Sequence, residues 1–211
     1  LPLTAAEFAD LVEQSTPLAY LDTLSLPALL GLVVALAVLA EAIRIVAIRT
    51  FVSEETESIP PEALTRRLGW AVVNGIVAGI VVGILVVLGT ILFVVPGIFL
   101  ALSFLFVRQE VAVADKSVVE AIEGSWSLAS GERFALFALL AVLVVIWFTS
   151  AFLLSFVDLE SAAAVSFVGV VVDGVVLVYS VAVVSRAYHQ LDARADAQED
   201  KFEDIDPELL P

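Results

Sequence analysis

The chain has 211 residues, 61% of them hydrophobic, a mean hydropathy of +1.04 and a formal charge of −15. That combination lies outside the range of soluble domains, and with eight of the 25 acids between Asp192 and Glu208 it argues against a nucleic-acid partner. The absence of Cys removes disulfides and thiolate chemistry. The fold class expected is an all-α polytopic transmembrane helical bundle with five spans. Eight of the ten bases are Arg, acids outnumber bases, and Ala, Val and Leu dominate the apolar residues, a bias expected of a haloarchaeal proteome.

Residues 1–25 read as an extracytoplasmic segment. Thr4 stands three residues before Glu7 as a capping-box signal, and Phe8, Leu11 and Val12 share a helical face, so a short external helix near the interface is expected. The first span runs from Leu26 to Ile48, with Glu41 and Arg44 three apart near its inner end and placed to pair locally. The loop from Glu54 to Glu62, with Pro60 and Pro61, reads as solvated.

The next apolar run, Trp70 to Val107, has 38 residues, too many for one crossing of a ~30 Å hydrocarbon core. Pro96 lacks the N–H a helix interior needs and Gly97 tolerates turn dihedrals, so the pair is expected to turn the chain between a span from Trp70 to about Val94 and one from Gly97 to about Ala114. Within the former, Gly75, Gly79 and Gly83 recur every four residues, a smooth stripe expected to admit a neighbouring backbone. Arg108 falls inside the latter and is expected to snorkel to the interface.

This hairpin puts all ten bases on one side of the membrane and leaves Leu1 to Ser25, the Pro-Gly turn and Val157 to Ser161 without Lys or Arg on the other. By the positive-inside rule the N-terminus of the chain is then outside and the C-terminus cytoplasmic. An outward N-terminus needs an upstream start, and the chain opens on Leu1, so a sixth span is expected in the full protein.

After the third span, residues 117–130 are too polar to cross and too apolar to be free. Val118, Ile122, Trp126 and Ala129 share one helical face against Glu120, Glu123 and Ser127, the pattern of an in-plane interfacial helix. The order VPGIFLALSFLFV, then EAIEGSWSLASG and an aromatic, resembles the membrane domain associated with some glycerophosphoryl diester phosphodiesterases and related uncharacterised bacterial and haloarchaeal membrane proteins. Pro96, Gly97, Glu120, Ala121, Ser125, Trp126, Leu128 and Gly131 carry the likeness. It implies a multi-span bundle without the phosphodiesterase barrel, hence no imported enzyme. Relatives of this kind carry bases around S-W-x-L, whereas Glu123, Ser127, Ala129 and Ser130 stand here, so a grip on anionic lipid is not implied.

The fourth and fifth spans are expected at Phe134 to Val157 and Ala162 to Ser185. Thr149 and Ser150 suit hydrogen bonds between helices. Asp173 stands 12 residues from both Ser161 and Ser185, near the midplane, where a carboxylate costs about 2.5–3.5 kcal/mol. It is either a neutral packing device or a proton or cation site, with Asn74 as an intramembrane neighbour. His189 reads as a solvated side chain, and residues 190–211 as a disordered acidic tail.

No catalytic, cofactor or metal signature occurs in the sequence. Three function classes follow: a non-enzymatic scaffolding or regulatory membrane domain, a transporter of small solutes or ions using Asp173, and a lipid-acting enzyme. The first is favoured. The partners expected are the lipid bilayer and either a second copy or another membrane protein.

Overall fold

The computed structural model describes residues 25–53, 58–156 and 162–203. The expected helix around Thr4 to Val12 and the loop from Val157 to Ser161 lie outside the described residues. Eight helices are described: α1 (Leu26–Val52), α2 (Pro61–Thr65), α3 (Leu68–Leu92), α4 (Val94–Ser103), α5 (Val107–Val113), α6 (Val118–Ala129), α7 (Arg133–Leu154) and α8 (Ala162–Glu203). Five helical segments, Leu26–Val52, Leu68–Leu92, Val94–Val113, Arg133–Leu154 and Ala164–Ala197, are long and apolar enough to cross a membrane. The molecule is an all-α, multi-pass bundle.

The reversal between the second and third spans comes earlier than the sequence suggests. Phe93 is extended (φ −159°, ψ 148°) and breaks the helix, and its own N–H still reaches the Gly89 carbonyl at 3.0 Å. Pro96 and Gly97 belong to the first turns of α4, where the missing proline N–H would have no intrahelical partner anyway. Gly97 has a packing role instead. A Cβ on Gly89 would stand 3.2 Å from the Gly97 backbone, so the two glycines set the close approach of α3 and α4.

The third span is itself broken, at Phe104–Phe106 between α4 and α5. α6 then folds back against α5 and against the break. Its buried line is Ala121, Ser125 and Ala129, flanked by the half-buried Val118 and Ile122, while Trp126 sits at the edge. The expected amphipathic helix is therefore present, but it packs on the bundle through small residues.

Two other expectations change. Pro61 opens the short helix α2 in the loop read as solvated, and Ala63 within it is buried. The segment read as a disordered tail from residue 190 continues as helix through Glu203. Its Ala, Gln, Glu and Lys residues are good helix formers, and extending an existing helix needs no new nucleus.

The packed core gathers at one end. α1 is exposed over nearly all of Leu26–Ala40 and buries Glu41, Ile45, Ile48 and Arg49; α3 buries mainly Ala71 to Ala78; α8 buries Val184, Ser185 and Tyr188. One apolar cluster joins Ile45 and Ile48 to Ala71, Val107 and Val111, and a second joins Phe106 to Leu136, Val184 and Tyr188. The apolar lengths beyond this core present their side chains outward, as lipid-facing surfaces do.

Candidate functional site

Several polar groups of the core lie where helices are short or broken, among them Ser103, Glu110 and Ser125. At the break in the third span, Ser125 of α6 is fully buried. Its hydroxyl donates to the Ser103 carbonyl at 2.9 Å and accepts the Phe106 N–H at 3.1 Å. One side chain thus satisfies a backbone acceptor and a backbone donor released by the break. The rest of the motif supports this placement. The Glu120 carboxylate accepts from the Ser117 N–H at 2.9 Å and the Ser117 hydroxyl at 2.8 Å, and these bonds hold its pKa below the ordinary glutamate value. Trp126 packs its ring on Phe99 and Phe104, and the Arg133 guanidinium lies 5.2 Å from its centroid. Leu128 joins the second apolar cluster. Gly131, just past the end of α6, has φ +94°, which a side chain would strain.

The glycine stripe of α3 faces charge. Glu41 of α1 is 5% exposed, and its Oε2 accepts Arg44 Nη1 at 3.0 Å and Arg108 Nη1 at 3.3 Å. A Cβ on Gly75 would lie 2.7 Å from Glu41 Oε1, and one on Gly79 would overlap Arg108 Nη2, while Gly83 has nothing within 4 Å. The stripe admits an ion cluster instead of a neighbouring backbone. Arg108 pairs inside the bundle, so it does not need the interface. The local Glu41–Arg44 pair is as expected, and Arg108 adds the third member.

Arg49 ties the loops together. It is 8% exposed, and its guanidinium donates to the carbonyls of Ala112 (2.7 Å), Ala63 (3.3 Å) and Arg66 (2.6 Å) and to Asp115 Oδ1 (3.1 Å). These carbonyls stand at or near the C-terminal ends of α2 and α5, where the helix dipole favours a cation. Arg66 adds a second bridge to Asp115 at 3.2 Å and a bond to the Val113 carbonyl. Asp115 holds the left-handed conformation, φ 52°, that aims it at both arginines.

Glu110, also buried, pairs with Lys116 at 2.6 Å in the space beside Gly124. A polar cavity of about 620 Å³ opens there, bounded by Glu110, Lys116, Glu132, Asp192 and Arg194. The Glu132–Arg194 pair across it is loose, at 3.8 Å. His189 is exposed.

Neither intramembrane polar candidate meets the other. Asn74 is buried, and its amide donates to the Trp70 carbonyl of its own helix at 3.0 Å. Asp173 lines a groove between α7 and α8 and has no hydrogen-bond or ion-pair partner among the described residues. Ser150 also bonds its own helix, at the Trp147 carbonyl, so it makes no bridge between helices by this bond. Among the described residues no group of three or more His, Cys, Asp or Glu side chains could hold a metal ion.

Apart from the Glu41–Arg44 pair, the core network was not anticipated from the sequence, although a signal existed: Glu41, Arg44, Arg49, Arg108 and Glu110 interrupt otherwise apolar spans. Charges in such positions face the bundle interior and pair there. No curated protein and no solved structure matches the chain. A family profile covers residues 1–191, nearly the whole sequence. The chain belongs to the family described as Domain of unknown function (DUF7847).

Proposed function

We propose that the chain is a non-enzymatic integral membrane domain that scaffolds or regulates a partner, with its N-terminal side outside and the C-terminal part of α8 in the cytoplasm. The observation that carries this reading is the use of the buried polar groups. Arg49 spends its N–H donors on three carbonyls and Asp115, Ser125 joins two backbone groups, and Glu41 holds two arginines, so these side chains fasten elements together. The likeness to membrane domains found beside phosphodiesterases supports the same role. Beyond the core, α8 continues with exposed residues from Ala193 to Ala197, a helical surface left open to a partner.

The test of this role is photo-cross-linking in cells from a reactive residue replacing Ala195. A discrete adduct of one defined mass supports a scaffold; lipid adducts alone remove it. Orientation is tested separately with single cysteines, since the native chain has none. Impermeant reagent should label Thr16→Cys and Ser161→Cys in intact cells and miss Ser58→Cys and Gln198→Cys. Labelling of Ser58→Cys from outside reverses the assignment.

A second reading, transport of a small solute or ion, is favoured by one observation, the unpartnered Asp173. Proteoliposome flux that vanishes in Asp173→Asn would support it.

A further inference from the structure

α7 and α8 do not close fully against each other at mid-length. A groove of about 470 Å³ runs between the two helices, walled by Leu140, Leu143, Trp147, Val176 and Leu177, with Asp173 in its lining. Ser180 also borders it, but its hydroxyl donates to the Val176 carbonyl at 2.7 Å. Asp173 and Trp147 are exposed, so the groove is reached from the bilayer side.

An ionised carboxylate in such a lining needs a counter-charge, and no Lys, Arg or His side chain pairs with Asp173 among the described residues. Phe134 to Ser185 contains no Lys, Arg or His, so a second copy aligned on this face would bring none either. Arg44 and Arg108 are held by Glu41, Arg49 and Arg66 by Asp115, and Lys116 by Glu110. A small inorganic cation is poorly suited, because it needs several oxygen ligands and the groove offers one carboxylate and an engaged hydroxyl. A weakly hydrated organic cation meets all the features together. Its apolar body replaces lipid against the leucines and valines, the Trp147 face attracts positive charge, and Asp173 neutralises it.

We propose that the α7–α8 groove is a binding site for a lipophilic organic cation, whose apolar body rests on Leu140, Leu143 and Trp147 and whose charge is met by Asp173. This names a substrate class for the transport reading, on which it rests for its purpose. Binding at equilibrium is nevertheless separable from flux: saturable binding without transport would leave the site standing and end that reading.

The experiment uses the full chain in lipid nanodiscs, with tetraphenylphosphonium as the probe and neutral triphenylphosphine oxide as its comparison, measured by equilibrium dialysis. Tetraphenylphosphonium should bind saturably, once per chain. Asp173→Asn should weaken it at least ten-fold and leave the neutral compound unaffected, whereas Asp173→Glu should retain most of the affinity. Val144→Trp, which places a ring in the groove from an outward-facing position, should weaken both compounds. If Asp173→Asn does not fold, Val144→Trp and Asp173→Glu decide. Absence of saturable cation binding to the native chain overturns the proposal. So does an Asp173→Asn protein that binds tetraphenylphosphonium like the parent, or a Val144→Trp protein that does so.

Discussion

Arg108 reaches Glu41 at 3.3 Å through the space that Gly79 leaves on α3. A leucine at position 79 would fill that space, turn the guanidinium away and leave Glu41 with Arg44 alone. Breaking a fully buried pair costs roughly 3–5 kcal/mol, and the loss here falls below that range because Glu41 keeps Arg44 and Arg108 is 35% exposed. Gly79→Leu should therefore melt below the parent. Gly83→Leu, with nothing within 4 Å, should stay within about 0.5 kcal/mol of it. Equal melting of the two variants in detergent would show that the stripe carries no packing role.

Position 79 also marks the limit of what the sequence discloses. Glycine spacing says that a helix face is open, but not what fills it, and the occupant here is a charged side chain from another span. The spans themselves were legible because runs of about 20 apolar residues have few other uses. The turn was misplaced by a few residues because Pro96 suits a helix start as well as a turn, and Phe93, which does break the chain, has no special propensity for doing so. The break at Phe104–Phe106 lies in SFLFV, where nothing local announces it; its cause is tertiary, in Ser125 some 20 residues on. Asp173 was legible as an isolated acid, but its lack of a partner needed coordinates.

Ser125→Ala leaves the Phe106 N–H and the Ser103 carbonyl without their partner in a fully buried place. Each unpaired buried group costs about 1–3 kcal/mol. The variant should lose stability on that order, with faster amide exchange at Phe106, whereas Ser127→Ala on the exposed face should change little. Unchanged protection at Phe106 would mean that the hydroxyl is dispensable.

Glu120 provides a pH dependence with a defined sign. Its folded pKa is lowered by hydrogen bonds from Ser117, so the ionised form supports the start of α6 above the unfolded carboxyl value. That support is lost as pH falls through the lower folded value, below about pH 4.3. Exchange protection at Ala121 should accordingly be higher in the parent than in Glu120→Gln at neutral pH, and the two should converge in acid. A difference that persists at pH 2 would rule out ionisation as its source.

Arg49→Lys tests whether the loops depend on a fork or on a charge. Lysine keeps the positive charge beside Asp115, but its three rotating donors cannot span the carbonyls of Ala112, Ala63 and Arg66 together with that carboxylate. Hydrogen bonds to charged groups are worth about 1.5–3 kcal/mol each, so losing even one should lower stability measurably. The damage should be local as well as global. Limited proteolysis should open the segments around α2 and between α5 and α6 before the long helices, because these segments are the ones whose carbonyls the guanidinium holds. If Arg49→Lys melts with the parent and shows the same cleavage pattern, charge alone suffices, and the guanidinium fork is not what joins α1 to the two loops.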